Sequence, residues 1–133
     1  MTQEKMLSGN YTNRLFGRTR GRSKSKINLK NYYELVEKFK FQNFNENIDY
    51  ILDIGTGYGE TSIFLANKFL DKVVISCEKY IDGNIILLKN IEKNKIHNIR
   101  LHNGNVYDVL KKTNKKHFQL VWIFFPDPWP KNR

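Results

Sequence analysis

The chain has 133 residues, 40% of them apolar and 14% aromatic, which suits one domain with a buried core and argues against a wholly disordered chain. No apolar run approaches the ~18 residues of a membrane span, the opening MTQEKMLSGN lacks a secretory signal's apolar segment, and a lone Cys77 with three scattered histidines offers no zinc-ligand spacing. The expectation is a cytoplasmic protein with no membrane and no metal partner, whose net charge of +10 draws polyanions.

Most of that charge sits at the start, where residues 1–30 hold eight basic side chains against Glu4 alone. In GRTRGRSKSK the Arg and Lys alternate with Gly, Ser and Thr, a composition that buries no core but can lie along phosphates and order on contact. Residues 1–27 therefore read as a basic flexible N-terminal arm, and residues 28–133 as the folded part. Nucleic acid is the favoured partner, because the arm has no apolar face for a membrane. Within NLKNYYELVEKFKF (28–41), Leu29, Tyr32, Tyr33, Val36 and Phe39 make one stripe of an amphipathic helix. YILDI (50–54) is a short apolar strand ending in a glycine-rich turn. TSIFLANKFL (61–70) reads as a helix and KVVISCE (72–78) as a β-branched strand. DGNIILLKNIEKN (82–94) predicts a further helix with Ile85, Leu88 and Ile91 on one side. IRLHNGN (99–105) predicts a third strand, VYDVLKK a short helix, and FQLVWIFF (118–125) a fourth strand closed by PDPWP.

Alternating strands and helices predict an α/β fold with a parallel sheet covered on both faces. The strands suit it, being nearly continuous apolar runs. In such sheets ligands lie beyond the carboxyl ends of the strands, at the topological switch point, so chemistry is sought just after each strand. The first ends with Asp53 and runs into Gly55, Gly57 and Gly59, a GxGxG pattern that reads as a tight turn or as a loop allowing close backbone approach to a ligand. A carboxylate at Asp53 repels a dinucleotide's pyrophosphate and suits a cationic cofactor. Glu78 follows the second strand, twenty-one residues after Gly57, near the spacing at which dinucleotide folds place the acid that binds ribose hydroxyls. Beside Lys79 it also reads as a plain surface residue. Asn105, after the third strand, offers an amide to an adenine edge and is equally a common turn residue. After the fourth, Pro126 and Pro128 brace Asp127 between them, with Trp129 two residues on. A plain acidic turn demands no such sequence.

LDIGTGYGE, the acid after the second strand, and FFPDPWPKNR resemble the tRNA (guanine-N7-)-methyltransferases, and RLFGRTRGR before a helix looks like their basic lead-in. The resemblance covers nearly the whole chain in order. FFPDPWPK is specific to that family, whereas the glycine loop marks class I methyltransferases in general. The resemblance implies a Rossmann-like class I methyltransferase fold, S-adenosyl-L-methionine as cofactor, tRNA as partner, and methyl transfer to N7 of a variable-loop guanine. By motif, cofactor contacts fall on Asp53, Gly55, Gly57, Glu78, Asn105 and Asp127. Catalysis falls on Asp127 and substrate contact on Lys131; Trp129, two residues after Asp127, is expected to shape the target-base pocket. Two positions depart from the family: its usual Glu is Asp53 here, one methylene shorter, and its usual Asp is Asn105, which keeps an acceptor and loses the charge.

The same resemblance implies a family pattern that continues past Pro128-Trp129-Pro130-Lys131 into a basic stretch, further strands and late substrate-binding residues. The expectation is therefore a partial S-adenosylmethionine-binding domain over 28–133, holding the N-terminal four parallel strands of an incomplete sheet with flanking helices. An uncovered apolar edge along LVWIFF predicts poor solubility and little activity for these residues alone. The alternative reading is a catalytically inactive fragment that retains cofactor or RNA binding. A methyltransferase acting on amino groups fits less well, because those enzymes typically carry Asn/Asp-Pro-Pro-Tyr/Phe where this chain has Pro126–Trp129.

Overall fold

The computed structural model describes residues 29–113 and 117–123, so the basic arm over 1–27 and the motif residues Asp127, Trp129 and Lys131 lie outside the described residues. In chain order the elements are α1 (Leu29–Phe39), β1 (Tyr50–Ile54), α2 (Glu60–Lys68), β2 (Val73–Cys77), α3 (Ile81–Lys93), β3 (Ile99–His102), α4 (Val106–Leu110) and β4 (Phe118–Ile123). Each segment has the type its sequence predicts. The third strand stops at His102, ahead of the predicted end, because Asn105 leaves the sheet to cap α4.

The four strands form one parallel sheet in the order β3-β2-β1-β4. Steps from β1 to β2 and from β2 to β3 run the same way, so right-handed crossovers place α2 and α3 on one face. The step from β3 to β4 returns past β1, and the same handedness puts α4 on the other face. Packing agrees with this geometry. Leu65 and Ala66 of α2 and Ile85, Leu88 and Ile91 of α3 gather with Ile51, Val74, Ile99 and Leu101. Val109 of α4 gathers with Leu52, Ile75 and Cys77. Neighbouring residues Ile51 and Leu52, or Val74 and Ile75, thus serve opposite faces, the period-two alternation of a strand buried on both sides.

The cover is uneven. One face has three helices, since α1 adds Tyr32 and Phe39 to it. The other has α4 and an aromatic segment in which Phe41, Phe44, Tyr50 and Phe118 pack together. Phe44 also stacks on His117, ring centroids 4.4 Å apart, and so seals the end where β1 and β4 begin. One part of the predicted α1 stripe is corrected: Tyr33 is 62% exposed, while Leu35 and Val36 pack against the core. Tyr33 sits one helical step of ~100° from Tyr32, off the line through Tyr32, Val36 and Phe39. No helix among the described residues is long and apolar enough to cross a membrane.

Candidate functional site

The sheet order reverses between β1 and β4, so the loop after β1 opens at the switch point. That loop is the glycine segment. Gly55 and Gly57 have φ of +72° and +57°, in the left-handed region that glycine occupies without strain. A Cβ built on either would meet nothing within 4 Å, so their bare backbone faces open space. The loop's glycine amides are all taken. Gly55 N–H donates to the Cys77 carbonyl at 2.9 Å and Gly59 N–H to the Thr56 carbonyl at 2.9 Å. Gly57 N–H donates to Glu78 Oε2 at 2.7 Å. Pyrophosphate-binding loops keep such amides for the anion; this one spends them on Cys77, Glu78 and Thr56.

Glu78 is the hub of the site. Its Oε1 accepts the N–H groups of Lys79 and Tyr80, both at 2.8 Å, while Oε2 holds Gly57. One carboxylate therefore ties the loop after β1 to the loop after β2, and an oxygen with a single donor keeps a lone pair for a ligand. Asn84, fully buried on α3, holds the next pair of strand ends together. Its Nδ2 donates to the Glu78 carbonyl at 3.0 Å and to Asn103 Oδ1 at 3.3 Å. Beside it Gly83 lies so close to the loop that a Cβ there would collide with the Gly57 carbonyl oxygen. Ser76 Oγ donates to Thr56 Oγ1 at 3.0 Å and anchors the loop from below.

Asp53, at 1% exposure, accepts the Ser62 hydroxyl at 2.7 Å. Burial pushes its pKa up to about 6, the nearby Glu78 charge adds to the rise, and the Ser62 hydrogen bond opposes it. Asn105 begins α4, and its Oδ1 accepts the Tyr107 N–H at 2.9 Å, the capping role that its turn preference predicts. Cys77 is buried and its thiol is pushed up to about 12, first by burial and then by the Asp53 and Glu78 charges, so it carries no thiolate at neutral pH.

Of the residues singled out in the sequence, Gly57 and Glu78 meet directly, and Gly55 is tied to Cys77, the residue before Glu78. Asp53 lies at the end of the same strand as the loop, turned to α2, and Asn105 stands at the end of the β3 loop. Asp127, Trp129 and Lys131 lie outside the described residues. Sequence reasoning missed Ser62, Gly83 and Asn84. A Gly-Asn pair on the apolar side of a predicted helix was the available signal, since neither residue favours a helix interior.

Residues 47–133 match the family model described as "Putative methyltransferase". A tRNA (guanine-N(7)-)-methyltransferase of Neorickettsia sennetsu is 35% identical over 123 residues, which is 90% of this chain and 55% of that protein. One of the same name from Zymomonas mobilis is 40% identical over 81 residues, 61% of this chain and 35% of that protein. The chain spans about half the length of the first and less of the second. Among solved structures, an rRNA methylase from Streptococcus thermophilus superposes with a TM-score of 0.50 at 13% identity, over 76% of this chain and 52% of that one, a likeness of fold.

Proposed function

We propose a function from one premise: the chain belongs to the methyltransferase family whose model matches residues 47–133. The reading is S-adenosyl-L-methionine-dependent methyl transfer to N7 of a guanine in tRNA, the variable-loop guanine by family resemblance, in a cytoplasmic setting. The names of the relatives support the acceptor. The observation that carries the cofactor is the glycine loop, with its glycine amides spent on protein acceptors, its open backbone at Gly55 and Gly57, and the Glu78 carboxylate beside it. A loop whose glycine amides are taken and that has two acids nearby suits a nucleoside bearing positive charge better than one bearing pyrophosphate.

When bound, the cofactor supplies an electrophilic methyl group on a sulfonium. Glu78 orients the ribose through the lone pair left on Oε2, which accepts a ribose hydroxyl. Gly55 and Gly57 let the ligand lie against bare backbone, and Asp53 and Glu78 set a field that favours a cation. Asn105 offers its amide to the adenine edge. Guanine N7 already carries an in-plane lone pair, so the protein needs no base there and contributes alignment and electrostatic support. In this reading Asp127, braced by Pro126 and Pro128, orients the guanine through its N–H edge and supports the positive charge that grows on the purine. Trp129 shapes the base pocket, and Lys131 with the arm over 1–27 holds phosphates.

The test uses methyl-labelled cofactor and tRNA transcripts carrying guanine or 7-deazaguanine at the variable-loop position. In a complete enzyme that carries these residues, label should enter the guanine transcript alone, and Asp127→Ala should lower turnover by roughly 100-fold. Raising the salt from 50 to 200 mM should weaken tRNA binding steeply. Cofactor binding with no transfer to any tRNA would instead favour the inactive-fragment reading, and absence of both would contradict the proposal.

A further inference from the structure

We infer that Tyr58 and Tyr80 form an aromatic wall for the nucleoside half of the cofactor, an inference that rests on the cofactor reading above. Neither ring belongs to the two buried clusters. Tyr58 is 51% exposed, directly after Gly57. Tyr80 follows Glu78 by two residues and leads into α3. The rings converge, with centroids 6.2 Å apart and planes tilted by 59°. The backbone on both sides is fixed to one carboxylate: Gly57 N–H sits on Glu78 Oε2 and Tyr80 N–H on Oε1. Scattered exposed aromatics need no explanation, but two rings rising from either side of the same acid at the strand ends are not scattered.

A nucleoside whose ribose hydroxyls reach Glu78 carries its base on the adjoining ring carbon, which brings sugar and base against these phenol faces. Aromatic faces take a base by stacking and hold it without reading its edge. The target guanine is the poorer occupant. The tyrosine pair stands on the β2 side of the glycine loop, whereas Asp127 follows β4, which lies on the other side of β1.

Calorimetric titration of S-adenosylhomocysteine into the 133-residue chain tests the inference, with Tyr58→Ala, Tyr80→Ala and Tyr58→Phe compared after their far-ultraviolet dichroism is matched to wild type. Each alanine variant should weaken binding by roughly tenfold or more, and Tyr58→Phe should stay within about twofold, because stacking needs the ring and not the hydroxyl. Unchanged affinity in both alanine variants overturns the inference, and a loss of transfer to tRNA alongside that unchanged affinity would reassign the pair to the acceptor base. An equal loss in Tyr58→Phe overturns stacking as the cause. No saturable heat in wild type would sink the cofactor reading itself, and the tyrosine wall with it.

Discussion

Burial sets the chemistry of Asp53. A folded-state pKa of about 6 against an ordinary carboxylate value means the folded protein holds this proton more tightly than the unfolded chain. The group therefore costs nothing below about pH 4, and its penalty grows as pH rises to 6, reaching roughly 3 kcal/mol. Asp53→Asn keeps an acceptor for Ser62 and removes the titration. Urea denaturation across this range should show wild type falling behind the variant as pH rises, with the gap flat above about pH 7. Gly83 gives a second test at this scale. Glycine to alanine inside a helix ordinarily stabilises by ~1 kcal/mol. Here the added methyl meets the Gly57 carbonyl, so Gly83→Ala should destabilise by ~1–3 kcal/mol in thermal melts. Asp53 and Glu78 were legible because position at the carboxyl end of a strand is a sequence property. Their partners were not, because the Ser62 and Gly57 contacts depend on how helix and loops meet in space.

Elements are joined by side chains whose sequence context says little. Asn98 looks like an ordinary turn residue before β3. In the fold its Nδ2 reaches the carbonyls of Ala66, Phe69 and Lys72 at 2.9, 3.2 and 3.0 Å, satisfying the C-terminal end of α2 and the turn into β2. The Phe69 carbonyl also accepts the Lys72 N–H at 3.1 Å, and the Ala66 carbonyl belongs to the last turn of the helix, where carbonyls run out of intrahelical donors. Asn98→Ala should cost ~1–3 kcal/mol of unfolding free energy, and Asn98→Asp should not restore it, since a carboxylate cannot donate. The elements themselves were legible from periodicity and strand composition. The α1 stripe was drawn too wide because spacings of three and four admit both Tyr32 and Tyr33, and packing against α3 and β3 selects one.

At the scale of the molecule, the two ends of the sheet are unlike. Aromatic rings around Phe44 and His117 close the end where β1 and β4 begin, and polar side chains gather at the opposite end. The parallel order and the switch point followed from the strand–helix alternation, because handedness leaves few topologies open. On β4, Val121 and Ile123 are 49% and 57% exposed, and among the described residues no strand pairs with the edge facing away from β1. An apolar strand edge invites association. Ile123→Lys should raise the soluble, monomeric fraction in light scattering, and an unchanged fraction would show that this edge does not drive association. One titration bears most directly on the strand-end site. S-adenosylhomocysteine should bind the chain saturably, NAD should not compete, and Glu78→Gln should weaken binding about tenfold or more, since it removes the charge that assists those hydrogen bonds. Tighter binding of NAD, or indifference to Glu78→Gln, would contradict a loop built for a cationic nucleoside.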